Sequence, residues 1–191
     1  MKDFTAWYST HTLLSGTLPS RMGEMDSLWT WDMGSTPFIS GTLPQSFGNL
    51  KTLASTQRTD TAYTYWVNPT QNTINLQGSG ISGTVPPSLG NLSGILSLTM
   101  SGPMSGTLPD TFDLTYCRGF YINEWHRLSG SLPDSIGSLG GQSSMGVAHP
   151  TVDFFMEDTL LTGALPETIC NTHVNRLHLK KFQILWLGIS T

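Results

Sequence analysis

The sequence predicts an α/β solenoid, in which short parallel strands stack side by side into a curved superhelix. The first observation is a motif, G-x-[LV]-P, that recurs at Gly16, Gly41, Gly83, Gly106, Gly130 and Gly163. The second is strand-like alternation of apolar residues between the recurrences, and the third is a short run of the type LPxxLGNL after them. A period of roughly 20–50 residues indicates stacked units, because one unit of that size cannot bury its own apolar face.

The spacing of the motif sets the length of the unit. Successive motif glycines are 25, 42, 23, 24 and 33 residues apart, so three intervals lie near 24. The two long intervals predict insertions near residues 54–73 and 140–153, and a degenerate repeat remains an alternative at each. We therefore expect a single domain over residues 1–191 with about six to seven units, as a fragment of a longer protein.

The strand of each unit is an L-x-L pattern. The clearest examples are Ile74 and Leu76, Leu98 and Met100, Phe154 and Met156, and Leu177 and Leu179. Because side chains in a strand alternate between its two faces, these apolar residues are predicted to point into the core. The residues between and beside them are predicted to face the other side of the sheet.

The LPxxLGNL run, which continues from the G-x-[LV]-P motif, predicts a short turn of helix or 3-10 helix. Its proline removes a backbone donor, and its glycine and asparagine permit a bend. Ten apolar residues of these runs are predicted to form core at the convex turns: Met22, Met25, Phe47, Leu50, Leu89, Leu92, Phe112, Leu114, Ile136 and Leu139.

These motifs resemble leucine-rich repeats of the plant-type 24-residue class, L-x-x-L-x-L-x-x-N-x-L-x-G-x-[IL]-P-x-x-L-G-x-L, over residues 7–185. The resemblance implies a curved right-handed solenoid with a parallel sheet on its concave face and a second small strand at SGxLP. The SGTLP form of several units is similar to repeats of kinetoplastid surface antigens. The consensus asparagine is absent, with Ser79, Pro103 and Thr159 at or near its place, so weaker units are expected.

Composition excludes several classes of partner. Only 12% of residues are charged, the net charge is -4, and no basic run suggests nucleic acid or an anionic membrane. No signal peptide begins the chain, and no apolar stretch reaches the ~18 residues of a membrane helix. Low charge with abundant Ser and Thr favours an extracellular or cell-surface location, or a cytoplasmic one if the chain is complete.

No motif predicts catalysis or a cofactor. Gly78, Gly80 and Gly83 match G-x-G-x-x-G, but the following GTVPP cannot begin a helix, so they are read as repeat glycines. Cys170 with two nearby histidines gives at most three metal ligands, and we expect no metal. The chain is therefore predicted not to be an enzyme.

Two further features bear on surface and redox chemistry. Cys117 and Cys170 are expected to be separate, half-buried thiols rather than a disulfide. The sequon at Asn91 is predicted to lie on the convex side, where a glycan would leave the concave face open.

A candidate binding strip follows from the strand pattern. The side chains predicted to face the concave side are Asp32, Asn75, Gln77, Thr99, Ser101, Tyr121, Asn123, Phe155, Glu157, His178 and Lys180. They mix aromatic, amide and charged groups, which favours binding of a protein or peptide ligand. The resemblance implies a receptor-like kinase ectodomain or a surface antigen. The alternatives are an inhibitor of a secreted hydrolase and a structural or adhesive spacer with an idle strip.

Overall fold

A computed structural model describes residues 4–50, 72–141, 152–180 and 183–184. In these residues the chain forms two parallel sheets of seven strands each, and it alternates between them. The strands of the first sheet, in order, are β1 (Ala6–Tyr8), β3 (Thr30–Asp32), β5 (Thr73–Leu76), β7 (Ser97–Ser101), β9 (Gly119–Asn123), β11 (Val152–Glu157) and β13 (Val174–Lys180). Those of the second sheet are β2 (Gly16–Thr17), β4 (Ile39–Thr42), β6 (Gly80–Thr84), β8 (Met104–Gly106), β10 (Arg127–Gly130), β12 (Leu160–Gly163) and β14 (Gln183–Ile184).

Short 3-10 helices follow five strands of the second sheet, as the LPxxLGNL pattern predicts. They are η1 (Met22–Glu24), η2 (Gln45–Asn49), η3 (Pro87–Asn91), η4 (Asp134–Ser138) and η5 (Glu167–Asn171). In the last four, a proline in extended conformation precedes the helix. Its fixed φ and missing N–H stop the strand where the turn must begin.

The core lies between the first sheet and the 3-10 helices. Trp31, Ile74, Leu98, Phe120 and Phe154 form one buried row across neighbouring strands. All ten apolar residues predicted at the convex turns are also buried, which confirms that part of the prediction.

The recurrence of Ser-Gly-Thr has a specific cause at the second sheet. The Ser82 hydroxyl donates to the Gly41 carbonyl of the preceding unit at 3.3 Å, and Ser105, Ser129 and Ser40 make the equivalent bond. Gly83 has φ +82°, and an added Cβ there would lie 2.6 Å from Cγ2 of Thr42. A side chain is thus excluded by both conformation and space. We call this repeated set of contacts the Ser-Gly-Thr ladder.

Hydroxyl side chains occupy the place of the missing asparagine. Ser79 is buried and donates to the Leu76 carbonyl at 2.9 Å, and Thr36 donates to the Met33 carbonyl at 2.7 Å. Each bond satisfies a backbone acceptor in the turn after a first-sheet strand. At these two turns a hydroxyl hydrogen bond therefore partly replaces the bonds of the missing asparagine. The expected loss of stability is smaller in these units than the sequence pattern predicts.

The two cysteines differ from the expectation of half-buried thiols. Both are free, but Cys117 is completely buried and Cys170 is exposed. Burial raises the pKa of the Cys117 thiol to about 12. Cys117 therefore packs as a small apolar side chain of the core.

The two predicted insertions fall mostly outside the described residues, which omit 51–71 and 142–151. Where the described chain resumes, Thr73 begins β5, and Val152 with Asp153 begins β11. The ends of both predicted insertions are therefore strand residues of the first sheet.

Candidate functional site

The predicted strip residues line up across the outer face of the first sheet. Strand registry aligns six of them in what we call the central row: Asp32, Asn75, Thr99, Tyr121, Phe155 and His178. Ser101, Asn123, Glu157 and Lys180 align two residues further along the strands, and Gln77 lies exposed just after β5. Strand alternation produces this arrangement, because the residues between them point into the core.

Aromatic rings stack at the C-terminal end of the central row. The rings of Tyr121 and Phe155 lie 5.4 Å apart between centroids with 22° between their planes. Phe155 stacks on His178 at the same centroid distance and 17°. Adjacent strands lie about 4.8 Å apart, so in-register rings on three neighbouring strands stack naturally. We call these three residues the aromatic ladder.

One edge of the aromatic ladder is fixed by an ion pair that the strip prediction missed. Arg176 binds Asp153 through two hydrogen bonds, with Nε 2.6 Å from Oδ1, and the Tyr121 hydroxyl donates to Oδ2 at 3.0 Å. The Arg176 guanidinium also lies 5.7 Å from the centroid of the Phe155 ring. Hydrogen bonds from Arg176 and Tyr121 lower the pKa of Asp153, while desolvation and then the Asp153 bond raise the pKa of Tyr121.

Acid should weaken this cluster. The lowered pKa of Asp153 means that its carboxylate stabilises the folded state above the unfolded pKa, about 3.9. That contribution to stability is lost as the pH falls through the lower pKa that Asp153 has in the folded state. We expect Asp153→Asn to reduce the acid-dependent fall in unfolding free energy below about pH 4, measured by urea unfolding at several pH values. Asp110→Asn, an exposed control, should keep the wild-type slope; equal slopes for all three proteins would contradict the assignment.

The opposite edge of the aromatic ladder carries a second charged group. The Glu157 carboxylate lies 2.8 Å from His178 Nε2 and 3.6 Å from Lys180 Nζ. These side chains are partly exposed, so the pairs fix orientation more than they add stability. The ladder is thus flanked by ion pairs on both sides.

A polar cavity of about 570 Å³ lies near the N-terminal end of the central row. Its polar side chains include His11, Asp32, Asn75, Gln77, Ser101 and Glu124. Asn75 donates to Asp32 Oδ1 at 3.0 Å, and the same oxygen accepts the Gly34 N–H at 3.0 Å. These bonds orient the Asp32 carboxylate at the cavity wall. The lining contains two carboxylates and no lysine or arginine.

One predicted strip residue is buried and already forms a hydrogen bond within the protein. Ser101 is buried, and its hydroxyl accepts the Gly78 N–H at 2.9 Å. Conversely, Tyr8 aligns with Asp32 and is exposed, although the strip did not include it. The signal for Asp153 and Arg176 was present in the strand period, since each lies two residues before a predicted outward residue.

The other sequence candidates fall as follows. Asn91 ends η3 and is exposed. Gly80 and Gly83 lie within β6, and the next element is the short 3-10 helix η3, so the glycine-rich motif does not open an α-helix. In the part of the chain that the structure describes, no cluster of three or more His, Cys, Asp and Glu residues could hold a metal ion. Among the same residues, no helix combines the length and the apolar character needed to cross a membrane.

Comparison with solved structures identifies the fold. The PEPR1–AtPEP1 crystal structure matches 93% of this chain and 22% of its own, at 22% identity and TM-score 0.66. The leucine-rich-repeat ectodomain of the Arabidopsis receptor kinase HAESA, in complex with an IDA peptide hormone lengthened at its N-terminus, matches 90% of this chain and 25% of its own, also at 22% identity and TM-score 0.66. A plant ice-binding protein matches 94% and 49%, at 18% identity and TM-score 0.62.

These comparisons confirm the predicted fold class, a curved leucine-rich-repeat solenoid with parallel sheets and 3-10 turns. This chain spans a quarter or less of the matched chains of PEPR1–AtPEP1 and HAESA. No family model and no curated protein matches the sequence.

Proposed function

We propose that this leucine-rich-repeat solenoid is a non-enzymatic recognition module that binds a peptide or an extended protein segment across the central row. The observation that carries the proposal is the in-register alignment of outward-facing aromatic, amide and charged side chains on the first sheet. Aromatic residues contribute strongly to interfaces, and here stacking and ion pairs hold them in place before a ligand arrives. One fold neighbour, the HAESA receptor kinase ectodomain, is in complex with a peptide hormone, which supports the proposal.

The same reasoning extends to location and class. We propose a ligand-binding part of an extracellular or cell-surface protein, with Asn91 available for glycosylation. The plant-type 24-residue class and the likeness to surface-antigen repeats remain part of this proposal. An inhibitor of a secreted hydrolase would also use the strip, whereas a structural spacer would leave it idle.

Alanine substitutions on the central row test the proposal. Peptides selected from a random phage-displayed library against the whole chain would serve as probes. We expect the triple variant Asn75→Ala, Tyr121→Ala, Phe155→Ala to bind them about tenfold more weakly or worse, measured by titration calorimetry. Phe38→Ala, which removes a ring that is 55% exposed elsewhere on the surface, is the matched control. Unchanged affinity in the triple variant would favour the idle spacer.

A second candidate function rests on the second sheet. Thr17, Thr42, Thr84 and Thr107 are exposed at the same motif position, and we call them the threonine row. In each, Cγ2 lies against the glycine of the next unit, so all four share one orientation. A regular row of hydroxyl and methyl groups can order water in a repeating pattern. One fold neighbour is a plant ice-binding protein, which favours ice binding as the alternative.

An assay of ice recrystallisation inhibition distinguishes ice binding from peptide recognition. If the threonine row binds ice, the wild-type chain inhibits recrystallisation, and the double variant Thr42→Lys, Thr84→Lys loses the inhibition. The matched control, Thr73→Lys, Thr99→Lys, places the same two charges on the first sheet and should retain the inhibition. A wild-type chain without any inhibition would exclude ice binding.

A further inference from the structure

We infer that the central row selects an extended peptide with a basic side chain at one position and an apolar side chain about five residues away. This inference rests on the proposed function and specifies the ligand. The basic group is expected to enter the polar cavity, and the apolar group to lie over the aromatic ladder.

The polar cavity favours a cation on charge grounds. The carboxylates of Asp32 and Glu124 line it, and neither forms an ion pair with any residue that the structure describes. Asp32 Oδ1 is held by bonds from Gly34 and Asn75, so the carboxylate needs little reorganisation to accept a donor. A guanidinium or ammonium group supplies the missing positive charge and several donors.

The amides of the cavity add acceptors of fixed direction. Asn75 Oδ1 already accepts the Gln77 N–H at 3.1 Å, which orients the Asn75 side chain against its neighbour. Gln77 also lines the cavity and is exposed, so its side-chain amide is accessible to a ligand. A cavity of about 570 Å³ accommodates a lysine or arginine side chain together with water.

The aromatic ladder provides a different chemistry at the other end of the row. Tyr121 and Phe155 stack on each other, while their charged neighbours are paired: Arg176 with Asp153, and Lys180 with Glu157. Because these charges are internally compensated, they offer little net attraction to a charged ligand. An aliphatic or aromatic side chain gains most there by covering the rings.

The distance between the two subsites follows from strand spacing. Asp32 and Asn75 lie on β3 and β5, and Phe155 lies on β11, three to four strands away. At about 4.8 Å a strand, the separation is about 14–19 Å. An extended peptide crossing the strands advances about 3.3 Å a residue, which gives about five residues between the two anchors.

The library selection described above tests the inference when the recovered peptides are sequenced. We expect enrichment of Lys or Arg about five residues from an aliphatic or aromatic residue. For the synthesised peptides, Asp32→Asn and Glu124→Gln should each weaken binding about two- to fivefold, and the effect should shrink in high salt. Asn at position 32 can still accept the bonds from Gly34 and Asn75, so folding is preserved. The matched controls are Asp110→Asn and Glu167→Gln, on exposed residues.

The outcomes distinguish the inference from the function on which it rests. The inference is overturned, and peptide recognition is left intact, by the following result. The triple alanine variant abolishes binding, but the selected peptides contain no enriched basic residue and their affinity does not respond to Asp32→Asn or Glu124→Gln. Binding that ignores the triple variant, or no binding at all, overturns both. Enriched basic and apolar residues at another spacing would contradict the proposed crossing of the strands.

Discussion

Replacing Phe120 by alanine is expected to lower the free energy of unfolding by about 3–5 kcal/mol, because a fully buried ring is lost and a cavity remains. The ring stacks on Phe154 at 5.2 Å between centroids and meets the edge of Phe112 at 5.7 Å. Both contacts join neighbouring units of the solenoid. Since a solenoid is stabilised by contacts between neighbours, the loss should affect the whole domain rather than one unit.

Urea unfolding followed by circular dichroism measures this effect. The control is Phe38→Ala, where the ring is 55% exposed and the expected change is within about 0.5 kcal/mol. Phe120→Leu should be milder, about 1–1.5 kcal/mol, because most of the apolar volume is kept. A Phe120→Ala protein as stable as the Phe38→Ala protein would show that the ring does not join the units.

Replacing Gly48 by alanine is expected to destabilise the protein by about 2–3 kcal/mol, although alanine is the better helix former. Gly48 lies in η2, and an added Cβ would lie 1.8 Å from the Ser88 carbonyl oxygen of the next unit. Real Cβ atoms do not approach so closely, and the obstacle is backbone rather than a flexible side chain. The two units must therefore move apart, which weakens the contact between η2 and η3.

The neighbouring residue supplies the control for this variant. Asn49 lies in the same helix and is exposed, so Asn49→Ala should change stability by less than about 0.5 kcal/mol. The midpoint of urea unfolding is the quantity to compare, with an unchanged slope indicating that both variants unfold as the wild type does. If Gly48→Ala unfolds at the wild-type midpoint, close packing between these helices is not needed.

Much of the fold was predictable because every unit repeats the same sequence pattern of strand, motif and turn. The L-x-L alternation correctly places Ile74, Leu98 and Phe154 in the core, since the strand period fixes which face a side chain occupies once the register is known. The convex turns were equally predictable, because proline and glycine each permit few backbone conformations there. These features depend on local sequence, which a single chain displays in full.

The candidate site was less predictable because it depends on contacts between units. Nothing in the local sequence shows that Asp153 and Arg176, 23 residues apart, meet beside Tyr121. Asp153 also follows a glycine-rich stretch, so the sequence predicts it at the end of an insertion rather than in a strand. Burial of Ser101 was missed for a related reason: the Gly78 N–H that it accepts belongs to a loop of the preceding unit.

The Ser-Gly-Thr ladder has a consequence for how such a chain can change its length. Thr42 packs against Gly83, Thr84 against Gly106, and Thr107 against Gly130, each through the same methyl group. A loss or duplication of one whole unit in the gene would therefore join surfaces that already match. Changes by a partial unit would instead leave a threonine without its glycine. The Ser-Gly-Thr ladder thus allows the number of whole units to change, so that the candidate strip can become longer or shorter while the contacts that support it stay the same.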